Sequence, residues 1–153
     1  MTRALAPVVG AVLLVIVTVA LAGMAGTLVL GMDPVESPPH ARLALDVDAG
    51  TDRITVTHEG GETLSTETLT VRIEIDGQPL AHQPPVPFFA AQGFVSGPTG
   101  PFNPAAEETW TTGETVMLEL ASTNAPLIDP GSTVAVTVAT DHGVIARLEA
   151  HAS

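Results

Sequence analysis

The sequence predicts a single long N-terminal helix followed by an antiparallel β-sandwich, and two observations lead to this prediction. Residues 4–32 contain no charged side chain, whereas all seventeen acidic residues lie in residues 33–153. After residue 40 the apolar residues recur at every second position, which is the period of a strand with one buried face. We therefore expect an initial segment 1–3, a hydrophobic helix 4–32, a linker 33–40 and a head domain 41–153.

The hydrophobic segment is long enough to cross a membrane, which takes about 20 apolar residues. Its length alone leaves three interpretations open: a removable secretion signal, a plain membrane anchor, or a stem that is kept for assembly. Cleavage after Ala22 fits the small-residue rule of secretion signals. However, the apolar sequence continues through Leu30, whereas the core of a secretion signal is usually about 7–15 residues long.

Small residues along this segment favour contact between helices. Gly10, Ala22, Gly23 and Gly26 have side chains small enough to let neighbouring helices approach closely, and Ala22 and Gly26 are four residues apart. Pro7 is tolerated in the first turn because its missing N–H would have no partner within the helix. We predict that stems pack through these five residues.

Six runs of alternating apolar residues predict the strands of the head. The linker before them has three prolines in eight residues, which favour an extended and fairly stiff chain. Turn sequences such as Asp76–Gly77 and Asp129–Pro130–Gly131 separate neighbouring runs and suit hairpins. We therefore expect six or seven strands in an immunoglobulin-like sandwich. The six runs are residues 43–47, 53–59, 69–75, 116–120, 134–138 and 144–150.

The segment from Pro79 to Trp110 has a different composition. It contains seven of the thirteen prolines, which is too many for a central strand. It also contains all five aromatic residues, for which two interpretations stay open. The rings can fill one open end of the sandwich, or they can form a subunit-contact or adhesive surface. The five are Phe88, Phe89, Phe94, Phe102 and Trp110.

The charge balance excludes some classes of partner. From Asp33 onward four arginines face seventeen acids, a net charge of −13, and the chain contains no lysine. Such a surface repels phosphate backbones, so we expect no nucleic-acid partner. It suits high salt, where repulsion between carboxylates is screened within a few ångströms. Because the chain has no cysteine, disulfides and thiolate zinc sites are excluded.

The sequence has no pattern that indicates catalysis, a cofactor or a metal site. Asp46–Asp52 is similar to part of an EF-hand calcium loop, but the twelfth position is Thr57 instead of a bidentate glutamate. We interpret this segment as outward-facing strand acids followed by a hairpin turn. The five histidines are scattered, and His58 and His142, which lie at turns, are expected to be solvated.

Two stretches of the chain resemble the haloarchaeal type IV pilins. The stem sequence Ala6-Pro7-Val8-Val9-Gly10 is similar to the Ser-Pro-Val-Ile-Gly that is common in that family, and the stem closes with Gly26–Gly31. In the head, Ile54–Leu64 is similar to the family's strand, His-x-Gly-Gly turn and second strand. The acidic, lysine-free composition agrees with this resemblance.

The resemblance implies a structural role. A prepilin peptidase would cut the three-residue leader between Arg3 and Ala4, and the stem would stay in the membrane until assembly. An assembly ATPase and a membrane platform would then pack the stems of many copies into an extracellular filament for adhesion or cell–cell attachment. The first competing interpretation is a monomeric, membrane-anchored extracellular binding module whose ligand site is the Pro79–Trp110 segment. The second is a secreted domain that is cleaved after Ala22.

Overall fold

The computed structural model describes residues 5–32 and 34–153. The chain divides into two compact units, residues 1–35 and residues 36–153. The first unit contains a helix, α1, that runs from Leu5 to Leu30, and the second contains antiparallel β-sheets. The predicted fold class, a long apolar helix followed by an antiparallel β head, is confirmed.

The end of α1 follows from its sequence. The N–H of Gly31 donates to the carbonyl of Thr27 at 3.0 Å and completes the last turn. Pro34 then prevents a further turn, because proline has no N–H to donate and its ring clashes with the preceding turn.

Across residues 34–153 the head has nine strands in three antiparallel sheets. One sheet has three strands in the order β1-β2-β7, a second has four in the order β5-β4-β8-β9, and β3 pairs with β6. The strands are β1 Ala41–Asp48, β2 Arg53–Gly61, β3 Leu64–Ser65, β4 Thr70–Ile75, β5 Gln78–Pro79, β6 Thr109–Trp110, β7 Thr115–Glu119, β8 Thr133–Thr140 and β9 Gly143–His151.

The nine strands of the described head differ from the six or seven strands that the sequence predicted. Each of the six predicted runs forms one of the longer strands, namely β1, β2, β4, β7, β8 and β9. The three additional strands, β3, β5 and β6, have two residues each, which is too short for an alternating pattern to show. Pro79 lies in β5 at the edge of its sheet, where a missing N–H breaks no ladder hydrogen bond.

The three-stranded and four-stranded sheets enclose one hydrophobic core. In β4 and β8 every second residue is buried, and Ile73 and Val134 are fully inaccessible to solvent. Ile54 and Val56 of β2 and Val116 of β7 belong to the same cluster. The apolar residues that recur at every second position thus face the core, and the residues between them face the surface.

The end of the chain ties the two large sheets together. The N–H of Ser153 donates to the carbonyl of Val47 at 3.1 Å, and the N–H of Ala49 donates to the carbonyl of Ser153 at 3.0 Å. Ala152 is buried between them. These contacts join the end of β1 to the residues that follow β9.

Side-chain amides hold the Pro79–Trp110 segment against the sandwich. Gln83 donates from Nε2 to the carbonyl of Ile73 at 2.9 Å and accepts the N–H of Ile73 at 2.8 Å. Asn124, which is buried, donates to the carbonyls of His82 and Gly93 at 3.0 and 3.1 Å. These bonds satisfy backbone groups that proline-rich sequence cannot pair in a ladder.

Candidate functional site

The surface of α1 is apolar on every side and none of its residues is buried. Helix Leu5–Leu30 has 26 residues and no charged side chain. At 1.5 Å per residue it is about 39 Å long, which exceeds the hydrocarbon core of a bilayer, about 30 Å. By length and composition α1 can cross a membrane. An apolar surface of this extent needs lipid or protein to cover it in water.

The two hydroxyl groups of α1 do not require an outside partner. The Thr18 hydroxyl donates to the carbonyl of Leu14 at 2.6 Å, and the Thr27 hydroxyl donates to the carbonyl of Met24 at 2.9 Å. Since both polar side chains are satisfied within the helix, α1 can enter an apolar environment without leaving an unpaired group there.

The small residues of α1 have open space around them within this chain. A Cβ added to Gly10, Gly23 or Gly26 would meet no atom within 4 Å, so no contact among the described residues requires glycine at these positions. Ala22, Gly23 and Gly26 fall within four residues of one another and share one side of the helix, while Gly10 lies about three and a half turns earlier. Pro7 is in the first turn, as predicted. The packing of stems through these residues stays a prediction.

The predicted leader cleavage site lies outside the described residues. Both Arg3 and Ala4 precede the first residue that the structure describes, Leu5. The cleavage position therefore stays a prediction from the resemblance.

The aromatic residues of the Pro79–Trp110 segment are mostly inside the head. Phe102 and Trp110 are 1% and 0% exposed, with ring centroids 5.2 Å apart in an edge-to-face arrangement. Phe88 and Phe94 are also buried, and their ring centroids are 5.6 Å apart. These four rings fill the core, which corrects the hypothesis that all five form a contact surface.

Phe89 is the exception, with 62% of its surface exposed. Its carbonyl accepts a hydrogen bond from the N–H of Gly97, and its ring lies beside the same glycine. Gly97 and Val95, which is 45% exposed, line a cleft at the outer edge of β7. Phe89 and Val95 are therefore two exposed apolar residues of the same segment.

His58 is fully buried, which corrects the expectation that it is solvated. Its Nε2 lies 2.9 Å from the carbonyl of Glu62, and because a carbonyl can only accept, Nε2 carries the proton. The ring packs edge-to-face against Trp110 at 5.8 Å. Gly61 has a φ of 102°, and a Cβ there would collide with the carbonyl of His40. The His-x-Gly-Gly sequence is therefore not the predicted turn but the end of β2, where Gly60 and Gly61 pair with β1 beside a buried ring.

Two acidic residues near the β1–β2 turn accept backbone hydrogen bonds, one within the turn and one from a distant part of the chain. Asp48 Oδ1 accepts the N–H of Gly50 at 2.8 Å, and Asp52, at a φ of 50°, accepts the N–H of Ile128 at 3.0 Å. Asp46 is exposed on the outer face of β1. His142, the other histidine predicted to be solvated, is exposed, and its Nε2 lies 3.3 Å from a carboxylate oxygen of Glu36.

One family match accompanies this geometry. Residues 3–43 match the family described as archaeal type IV pilin, N-terminal. The match begins at the predicted cleavage site, covers all of α1 and reaches the first residues of β1. No curated protein matches the chain.

Proposed function

We propose that this chain, which carries the N-terminal region of an archaeal type IV pilin, is a structural subunit of an extracellular filament. The observation that carries the proposal is α1, a 26-residue apolar helix with no buried residue. Among the described residues of α1, no side chain of that surface is buried. A filament in which many copies pack their helices together covers it permanently.

Processing by a prepilin peptidase is the first step of the proposed function. Cleavage between Arg3 and Ala4 would remove three residues and leave the stem on the mature chain. The stem would hold the subunit in the membrane with the head outside, and an assembly ATPase and membrane platform would move it into the filament.

Packing between stems would then hold the filament together. A neighbouring helix can approach closely along the side of α1 that carries Ala22, Gly23 and Gly26, because these side chains are small. Each large apolar side chain that becomes fully buried contributes about 1.5–3 kcal/mol relative to exposure in water. Repeated along the stem of every subunit, this contribution keeps the assembly intact outside the membrane.

The head is the part that such a filament displays, for adhesion to surfaces or to other cells. Its net charge of −13 from Asp33 onward and its lack of lysine suit a haloarchaeal cell surface, where concentrated salt screens repulsion between neighbouring heads. The competing ligand site, the Pro79–Trp110 segment, has four of its five rings in the core, so the geometry favours the filament over the monomeric binding module.

The mass of the mature chain, which identifies its first residue, tests this proposal. Mass spectrometry of chains from sheared surface filaments should find a chain that begins at Ala4. A chain that begins at Gly23 would indicate a secreted domain, and an uncleaved chain in the membrane fraction would indicate a plain anchor. Either result would contradict the proposal.

The variant Arg3→Glu sharpens the test. It reverses the charge before the apolar segment and should leave an uncut precursor in the membrane. The matched control is Arg42→Glu, which makes the same charge change on β1 of the head and should be cut normally. Normal cleavage of Arg3→Glu would count against a prepilin peptidase.

A further inference from the structure

The outer face of the four-stranded sheet carries half of the arginines of the head. Arg72, Thr137 and Arg147 form one row across β4, β8 and β9. The next row contains Glu74 and Glu149 on either side of an alanine. The face is therefore electrically neutral, in a head that carries sixteen acids and four arginines after residue 35, a balance of −12.

The two arginines of this row differ in their partners. Arg147 lies 3.4 Å from Glu74 in a salt bridge. Within the part of the chain that the structure describes, no salt bridge or side-chain hydrogen bond involves Arg72, which is exposed. A guanidinium that projects from a flat sheet with five donors and no acceptor suits a carboxylate from outside the head.

The outer face of the three-stranded sheet has complementary features. Asp46, Thr55 and Met117 form a row across β1, β2 and β7. Among residues 34–153, the exposed Asp46 carboxylate has no salt-bridge partner, whereas Glu119 on the same face pairs with Arg53 at 3.6 Å. Around Asp46, this face carries Asp46, Asp48 and Glu119 against Arg53, a net charge of −2. The exposed Arg42 and Glu59 lie further along β1 and β2 and balance each other.

An apolar rim continues this acidic face. The N–H of Val95 donates to the carbonyl of Glu119 at 2.9 Å, so the segment that carries the exposed Phe89 and Val95 covers the edge of β7 that is not paired with β2. Exposed aromatic residues such as Phe89 are enriched at protein–protein interfaces, whereas a carboxylate such as that of Asp46 needs a partner of opposite charge there.

From these two faces we infer that heads of neighbouring subunits dock on each other, the Arg72 face of one copy against the Asp46 face of the next. The inference rests on the proposed filament. The two faces are the outer sides of sheets that enclose one core, so a head cannot join them within itself. A contact between two different faces is open-ended, and it repeats along a filament instead of closing a dimer.

The size of the contact explains why it needs the stem. Eight residues of β8 span about 26 Å and three strands span about 14 Å, so the face offers roughly 400 Å². A stable interface buries about 800 Å² on each partner. The heads alone should therefore stay monomeric, and the docking should form only where packed stems hold the heads side by side.

Cysteine cross-linking tests the docking directly, because the chain contains no cysteine of its own. Thr55 and Thr137 are matched positions, each a half-buried threonine at the centre of an outer sheet face. Filaments of the double variant Thr55→Cys/Thr137→Cys are treated with a bis-maleimide whose spacer is about 10 Å, the distance between stacked sheets. We expect a ladder of covalent oligomers on a denaturing gel, and no ladder from either single variant.

The outcomes separate the two proposals. Filaments of the double variant without a ladder would overturn the docking and leave the filament proposal intact. Dimers from Thr137→Cys alone would also overturn it, because they require two identical faces to meet. If the wild-type chain forms no filaments with its assembly machinery present, both proposals fail.

A charge exchange tests the central pair. Arg72→Asp and Asp46→Arg, each in the double-cysteine chain, should lower the cross-linked fraction about two- to fivefold, as expected for an exposed ion pair. The combination of both should restore the ladder, since it exchanges the charges and keeps the pair. Unchanged cross-linking in both single variants would overturn the assignment of this pair.

Discussion

In α1 the apolar residues form an uninterrupted surface and none is buried, whereas in the head they alternate with polar residues and are buried on one side. The head therefore covers its own apolar residues. The stem has an equal need for cover, and none of its described residues, Leu5–Leu30, is buried. The difference teaches that the head is built to fold by itself, while the stem is built to be covered by other molecules, first lipid and then other stems.

The largest expected effect concerns the aromatic residues of the head. Trp110 is fully buried, packs against Phe102 and donates from Nε1 to the carbonyl of Glu114 at 3.0 Å. Trp110→Ala should lower the free energy of unfolding by about 3–5 kcal/mol. The matched control is Phe89→Ala, a ring in the same segment that is exposed, with an expected change of about 0.5 kcal/mol or less. Urea unfolding of the full chain in detergent, followed by circular dichroism, gives both values.

Equal losses for the two variants would contradict the division of this segment into a buried and an exposed part. A large loss for Phe89→Ala alone would place the exposed ring in the core.

The next effect compares the same substitution in the two units. Ile73 is 0% exposed in β4, and Ile73→Ala should destabilise the head by about 2–5 kcal/mol. Ile16 of α1 is 57% exposed, and Ile16→Ala should leave the melting temperature of the head unchanged. Thermal unfolding of both variants in detergent checks this difference. A lower head melting temperature for Ile16→Ala would mean that the head depends on the stem for its stability.

The smallest effect concerns salt. In a fragment of residues 33–153, the net charge of −13 should weaken the compact state at low ionic strength through self-repulsion. Molar salt should raise its stability by on the order of 1 kcal/mol, which corresponds to about 3–6 °C in melting temperature. A melting temperature that stays flat between dilute buffer and molar salt would remove the argument for a high-salt habitat.

The sequence was informative wherever a regular pattern was long enough. Six strands were predicted because each has five or more residues with a period of two, and α1 was predicted because no charge interrupts it. The two-residue strands β3, β5 and β6 escaped detection because two residues cannot display a period. β3 and β6 pair across a long separation, with Leu64 opposite Trp110, whereas β5 pairs with the neighbouring β4 across the Asp76–Gly77 turn.

The burial of individual side chains was harder to predict. His58 occupies an inward position of β2 between the buried Val56 and an exposed turn, so its place in the strand period was the signal that could have located it in the core. The meeting of Arg72 with Arg147 in one row depends on the register of three strands far apart in sequence. Local patterns do not determine that register, so the Arg72 face could not be predicted.

The most direct test of the account is enlargement of the small residues of α1. Among the described residues, a Cβ at Gly23 or Gly26 would meet no atom within 4 Å, and leucine favours a helix more than glycine does. A lone stem should therefore tolerate both Gly23→Leu and Gly26→Leu. In packed stems the added side chain forces neighbouring helices apart, and overpacking typically costs about 1–3 kcal/mol at every contact. The matched controls Gly23→Ala and Gly26→Ala keep the residues small. The measurement is the number of surface filaments sheared from cells, with membrane insertion and cleavage of each variant checked in parallel. The leucine variants should be inserted and cleaved but form few or no filaments. The alanine variants should form nearly as many filaments as the wild type. Leucine variants that insert, are cleaved and assemble normally would contradict the claim that this stem is a packed filament core.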